Sequence, residues 1–388
     1  MFKIQKLNSI SSKGLELFSC DKYEHASEMA QPDAILVRSA PMHDMKLPDS
    51  LKAIARAGVG VNNIPLKKCT ERGIVVFNTP GANANAVKEL VLMSLFLSSR
   101  RVYEGINWVK SLAGKGDEVT KLIEKGKKDF AGPEVRGKTL GVIGLGSIGV
   151  MVANDALALG MKVTGRDPYI SVDSAWGLSR LVSKSVSLDN LISESDYISL
   201  HLPLNDTTQG FMNKEKFSLM KKGVRILNFA RGGLINNDDL IEAIEKGIVA
   251  RYITDFPNEA LLRLENVIPI PHLGASTPES EENCAVMAVT QLSDFLENGN
   301  IAHSVNFPEC SLPRTGNQRL VIANKNVPNM IGQFTHILAK KQINIANMLN
   351  KSKEDYAMNI IDIDEHIDED TTGALKNIKD VIMVRLLE

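Results

Sequence analysis

Short apolar runs alternate along the chain with longer stretches whose apolar positions recur every three or four residues. Such alternation predicts parallel strands, buried on both faces and joined by amphipathic helices. A first set of runs covers 34–38, 51–55 and 73–77, the last closed by the turn-forming residues 78–81. A second set covers 139–143, 162–164, 197–201, 224–228 and 267–270. Two sets predict two α/β units with a cleft between them. The longest apolar segment, 90–97, is too short to span a bilayer and reads as a core helix. Past a proline-containing segment at 306–313 the rhythm changes. Strands are expected at 319–323, 344–350, 357–363 and 381–387, with helices at 330–341 and 371–378. That βαββαβ order is a ferredoxin-like arrangement.

The second set opens on a glycine-rich turn, Gly144-Leu145-Gly146-Ser147-Ile148-Gly149, between a predicted strand and a predicted helix at 150–159. The next strand ends in an acid, Asp167. This is the context a dinucleotide site requires. Gly144 permits the tight turn, Gly146 lets backbone approach a pyrophosphate, and Gly149 lets helix and strand pack closely. The N–H groups at the helix start favour the anionic diphosphate. Asp167 suits the ribose hydroxyls and repels a 2′-phosphate, so NAD is expected over NADP. Arg166 beside it is the one residue that could pair with such a phosphate.

Other polar residues cluster at strand ends of the second set, where open α/β sheets bind ligands. Arg231 sits in the small-residue turn 228–233, and its planar fork suits a carboxylate. His272 lies between a strand end and a helix start. A glutamate, Glu259, is close enough in sequence to orient it, and a Glu–His pair raises the imidazole pKa into the range of acid/base work. A nicotinamide, this pair and a carboxylate-binding arginine together define an oxidation: the histidine takes a hydroxyl proton as hydride leaves the same carbon.

Composition narrows the picture without redirecting it. In 388 residues, 45 basic and 46 acidic side chains give a net charge of −1, which points away from nucleic acid. The basic stretch 121–128 reads as a solvated face. Four dispersed cysteines suggest free thiols and no metal site. With no signal-like N-terminus and no membrane segment, a cytoplasmic protein is expected.

The stretches 57–64, 77–80, 142–149, 228–232 and 271–274 together resemble the D-isomer-specific 2-hydroxyacid dehydrogenases, in particular the branch acting on 3-phosphoglycerate. The resemblance implies a Rossmann-type cofactor domain (98–275) inserted in a flavodoxin-like α/β substrate domain (1–97 and 276–310). It also implies Arg231 as the substrate-orienting residue, Glu259 as partner of the histidine, and His272 as acid/base. Asp255, Ala230 and Gly274 would join the glycine turn in holding NAD. Arg38, Ser39, Val59, Gly60 and Asn83 would meet the substrate. Arg38 is the best phosphate candidate, with Lys127 or Lys128 of a neighbouring subunit as further candidates. The tail, 317–388, resembles an ACT domain, which implies L-serine as effector at Asn324, Asn326 and Asn344. Asn329 stands where that module usually has a glycine, and asparagine tolerates the positive φ such a turn needs. A homodimer or homotetramer is the family's usual state. Two rivals remain at this point: a reductase of an unphosphorylated 2-oxo acid (2-oxoglutarate or hydroxypyruvate) and an NAD-sensing, corepressor-like scaffold.

Overall fold

The computed structural model describes residues 1–388, which divide into two compact units. The first comprises Met1–Ala82 with Pro278–Glu388, the second Asn83–Thr277.

In the first unit, five parallel strands form one sheet: β1 (Phe2–Leu7), β2 (Tyr23–Ala26), β3 (Ala34–Val37), β4 (Ala53–Arg56) and β5 (Val75–Phe77), in the order β2-β1-β3-β4-β5. This is the flavodoxin-like order, whose switch point lies between β1 and β3. Strands β3 and β5 are wholly buried, which explains their unbroken apolar runs. Only Ile4 of β1 is fully buried, and its lysines and glutamine hide the strand from an apolar-run search. The long helix Pro278–Asn298 lays Ala288, Leu292 and Phe295 on this sheet's core.

The second unit is a seven-stranded parallel sheet: β6 (Thr139–Ile143), β7 (Lys162–Arg166), β8 (Ser183–Lys184), β9 (Tyr197–Leu200), β10 (Val224–Asn228), β11 (Val249–Thr254) and β12 (Val267–Pro269). Its order, β12-β11-β10-β9-β6-β7-β8, is doubly wound about β6, and the glycine turn leaves that interior strand. The boundary between the units falls after Ala82, earlier than the expected residue 97. The helix Ala84–Ser99 belongs with the second unit because Val87, Val91 and Leu95 pack among its core residues Leu140, Val142 and Leu227. At the other end the division falls after Thr277 instead of residue 275.

The tail forms a four-stranded antiparallel sheet: β13 (Gln318–Lys325), β14 (Ile345–Lys353), β15 (Tyr356–Ile363) and β16 (Val381–Leu387), ordered β14-β15-β13-β16. One face carries the helices Met330–Lys340 and Glu369–Lys376 over Leu320, Ile322 and Ile361. The other face, through Val321, Ala323, Met358 and Ile360, shares the core of the five-stranded sheet. The tail thus keeps its own four-stranded sheet while clustering with the first unit. Two buried arginines join it there. Arg385 lies 4.6 Å over Phe295 and donates to the Phe295 and Leu296 carbonyls. Arg319 donates to Asn298 O at 2.9 Å and forks onto Asp362 at 2.6 and 2.9 Å. Both supply donors that the last turn of the helix Pro278–Asn298 lacks.

Candidate active site

In the second unit, Gly144 takes φ +91°, and a Cβ there would sit 2.5 Å from His201 O. A Cβ at Gly149 would sit 2.1 Å from Gly144 O. Both glycines are demanded by the fold itself. Gly146 differs: it is exposed, its backbone is extended, and a Cβ would meet no protein atom within 4 Å. Ser147 and Ile148 begin the helix Ser147–Ala158 beside it. Asp167 accepts from Leu145 N and Tyr169 N, both at 2.8 Å, which holds its carboxylate beside the turn. Arg166 is turned to the Val186 carbonyl at 3.2 Å. Open space above Gly146, N–H groups at a helix start and a fixed carboxylate are what a dinucleotide needs. Gly146→Val should therefore fold like the wild type yet weaken NADH binding at least about tenfold, as fluorescence titration would read.

His201 backs this turn. Its Nε2 is hydrogen-bonded to Ser199 Oγ at 2.8 Å, and burial pushes its pKa down to about 4. The folded state thus refuses a proton that the unfolded chain accepts below its ordinary value of about 6.5. Stability contributed by neutral His201 is full above that value and is lost as pH falls towards 4, of order 3 kcal/mol at most. Urea midpoints between pH 7 and 4.5 should fall more steeply for wild type than for His201→Gln.

The chemistry-bearing residues follow β10, β11 and β12. Asn228, fully buried, fixes the turn after β10 by donating to Arg231 O at 3.0 Å and accepting from Ala230 N at 3.2 Å. Arg231 donates to Ala230 O at 2.6 Å and lies 5.9 Å over the Phe256 ring. The His272 ring meets the same phenyl ring, with centroids 4.6 Å apart. Asp255, 2% exposed, accepts from Gly274 N at 3.2 Å through Oδ2, while its buried Oδ1 has no partner. Burial raises its pKa, only partly offset by the Gly274 N–H, His272 and Arg231. Phe256 is thus a shelf between the arginine and the histidine, and Asn228 is the clamp beneath. Sequence reasoning missed both. A fully buried asparagine ending an apolar strand was the available signal for the second.

Glu259 is a correction. Its side chain is 78% exposed and pairs with Arg263 at 3.1 Å, so it does not orient His272 in this structure. It opens the one-turn helix Glu259–Leu262, capped by Asn258, which directs it to the i+4 arginine. The carboxylate near His272 is Asp255, whose burial-raised pKa the histidine partly offsets. Asn83 precedes the helix Ala84–Ser99 with its Oδ1 buried and unpartnered, an acceptor left for a ligand donor. Lys127 pairs with Glu124, and Lys128 lies in the same short 127–130 turn.

In the first unit, the predicted loops follow β3 and β4. Asn8, just after β1, accepts from Ser39 N at 3.0 Å and Ala40 N at 2.8 Å, shaping the loop at the switch point. Arg38 pairs with Glu281 at 2.7 Å, both partly exposed. Val59 O accepts from Asn78 Nδ2 at 2.7 Å, and Gly60 follows it half-buried. Arg56, absent from the sequence reading, donates to Arg38 O at 3.0 Å and folds over Gly58. The effector candidates do not converge within one chain. Asn324 is buried, bonded to Asn359 at 2.7 Å, and lies at one end of β13, while Asn326 donates to Glu354 O. Asn344 precedes β14 at the opposite end of the sheet and donates to Asp364 and Glu365. Asn329 does take the positive φ, +68°.

Known proteins resemble this chain in sequence and fold. The model of the D-isomer specific 2-hydroxyacid dehydrogenase NAD binding domain matches residues 92–274. A chloroplastic D-3-phosphoglycerate dehydrogenase of Arabidopsis thaliana is 37% identical over 72% of this chain and 45% of its own length. A hydroxypyruvate reductase of Thermotoga maritima is 38% identical over 70% of this chain and 87% of its own. The chain spans about half the length of the phosphoglycerate dehydrogenases heading these relatives. An NAD-bound 3-phosphoglycerate dehydrogenase from Entamoeba histolytica superposes with a TM-score of 0.62 at 27% identity, covering 79% of this chain and 98% of that one. The cofactor is NAD. No helix is long and apolar enough to cross a membrane. With its nucleotide-binding unit and these relatives, the chain belongs to the D-isomer specific 2-hydroxyacid dehydrogenases, a family of NAD-dependent oxidoreductases.

Proposed function

We propose that this chain oxidises 3-phosphoglycerate to 3-phosphohydroxypyruvate, the step that leads from glycolysis to serine. The observation that carries the reading is the convergence of Arg231, Phe256 and His272 after β10–β12, with Asp255 behind them. Gly144, Gly146, Ser147, Ile148, Gly149 and Asp167 hold the dinucleotide, with Ala230, Asp255 and Gly274 on its nicotinamide side. When bound, the oxidised nicotinamide supplies a hydride acceptor. The Arg231 guanidinium takes the substrate carboxylate through its fork. The His272 imidazole takes the C2 hydroxyl proton onto a ring nitrogen as the C2 hydrogen departs with its electron pair, leaving the carbonyl. Phe256 and the Gly274–Asp255 hydrogen bond hold the imidazole in place. Arg38 and Arg56 are assigned to the phosphate, with Ser39, Val59, Gly60 and Asn83 completing the substrate contacts. The exposed ion pair of Arg38 with Glu281 is worth little and exchanges readily for a ligand anion.

Copies of the chain are proposed to pair through the helix Val102–Ser111, which buries none of its own residues and presents Tyr103 and Ile106 to solvent. A serine site using Asn324, Asn326 and Asn344 together needs a second chain. Reduction of hydroxypyruvate is the second reading, favoured by the Thermotoga relative and its coverage. Initial rates of NADH formation with 3-phosphoglycerate, D-glycerate and 2-hydroxyglutarate, with and without serine, decide between them. The proposal expects kcat/KM for 3-phosphoglycerate to exceed the others. A preference for D-glycerate would replace it with the second reading.

A further inference from the structure

We propose that the amino-terminal edge of the seven-stranded sheet carries a phosphate-binding site, remote from the dinucleotide turn. Arg225 is the second residue of β10 and Arg251 the third of β11, and the two are direct register partners on neighbouring strands. Adjacent strand partners point to the same face, so two guanidinium-bearing side chains leave the sheet side by side. Like charges so placed are destabilising unless something neutralises them. Arg101, from the segment after the helix Ala84–Ser99, joins them at a cavity of about 320 Å³ whose wall includes Gly132 and Pro133.

The carboxylates present do not balance this charge. Glu104 pairs with Arg251 and lies 3.8 Å from Arg101. Glu265, at the exposed rim, gives Arg251 its backbone carbonyl at 2.7 Å. Arg225 is held rigid: it donates to Ser98 O at 2.8 Å and Gly223 O at 3.2 Å and lies 5.2 Å over the Tyr197 ring. Arg101 is half-exposed, and its separation from Glu104 is beyond hydrogen-bond reach, so its guanidinium is open to a ligand. Fixed guanidinium forks with spare donors match the tetrahedral oxygens of a phosphate. The volume, at the lower end of ligand sites, suits free phosphate or a small phosphate monoester. This is not the diphosphate site: Arg225 lies near the start of β10, about 10 Å of strand before Asn228 at its other end.

The test is calorimetric titration of the full chain, saturated with NADH, with inorganic phosphate and separately with glycerol 3-phosphate, each repeated in an Arg38→Gln, Arg56→Gln background that removes the phosphate contacts proposed for the substrate. The wild type should bind both, and Arg101→Gln should weaken binding about tenfold or more, the loss of charge-assisted hydrogen bonds, with NADH affinity unchanged. Arg225→Gln should do the same. If loss of its hydrogen bonds to Ser98 and Gly223 prevents folding, the half-exposed Arg101 decides alone. Tighter binding of glycerol 3-phosphate identifies a monoester as the ligand, and equal binding identifies phosphate itself. Equal affinity in wild type and Arg101→Gln would overturn the proposal. So would a wild type that binds no phosphate because a second copy's carboxylate fills the cavity.

Discussion

Replacing His272 with asparagine is expected to leave NADH binding within about a factor of three while lowering kcat by about 10²–10⁴. The asymmetry follows from where the side chain sits. The dinucleotide turn, Asp167 and the helix Ser147–Ala158 are built without any contact from His272. The imidazole lies against Phe256, on the arm that also carries Gly274 and its hydrogen bond to Asp255. Asparagine keeps a polar group at that place but cannot take a proton near neutral pH. Steady-state rates with equilibrium NADH titration separate the two effects. Undiminished turnover in this variant removes His272 from the proton-transfer role.

The second large effect is on stability. Arg319→Ala should destabilise the first unit by about 3–5 kcal/mol, because it strands the Asp362 carboxylate without its buried partner. Both side chains are fully inaccessible to solvent. Burial pushes Asp362 up, but the Arg319 guanidinium and the Thr315 N–H overcome this and hold its pKa below the ordinary carboxylate range. Arg319 also caps Asn298 O, so its loss loosens the joint between the tail and the helix Pro278–Asn298. Such a cost is a large share of ordinary domain stability, about 5–15 kcal/mol. Urea unfolding should show it, and the double variant Arg319→Met, Asp362→Leu should recover much of the loss. A single variant as stable as wild type would mean that the pair contributes nothing to the joint.

What could be read from sequence was what local chemistry dictates. The glycine turn was legible because its three glycines answer three separate steric demands, two of which, at Gly144 and Gly149, come from the fold alone. The βαββαβ tail was legible because its strands alternate or run apolar throughout. Asn329 was legible as a positive-φ residue because asparagine is one of the few that tolerate it. Strand β11 was not, since Arg251 and Tyr252 interrupt its apolar run even though the strand is interior. That Glu259 pairs with Arg263 in this structure was not legible, because proximity in sequence does not say which way a one-turn helix points a side chain. The placement of Asp255 and Phe256 beside His272 is tertiary, which no local pattern encodes. The tail's attachment was hidden for a like reason: nothing local to Arg319 or Arg385 tells that they cap the end of a distant helix.

The most direct measurement is a single turnover of 3-phosphoglycerate deuterated at C2, with NAD and mass analysis of the reduced nucleotide. Hydride transfer from the hydroxyl-bearing carbon, with the proton taken by His272, predicts deuterium in the NADH formed. It predicts a slower chemical step than with the protium substrate, and no product from the L-isomer. Unlabelled NADH, or oxidation of D-glycerate while 3-phosphoglycerate is left untouched, would contradict it.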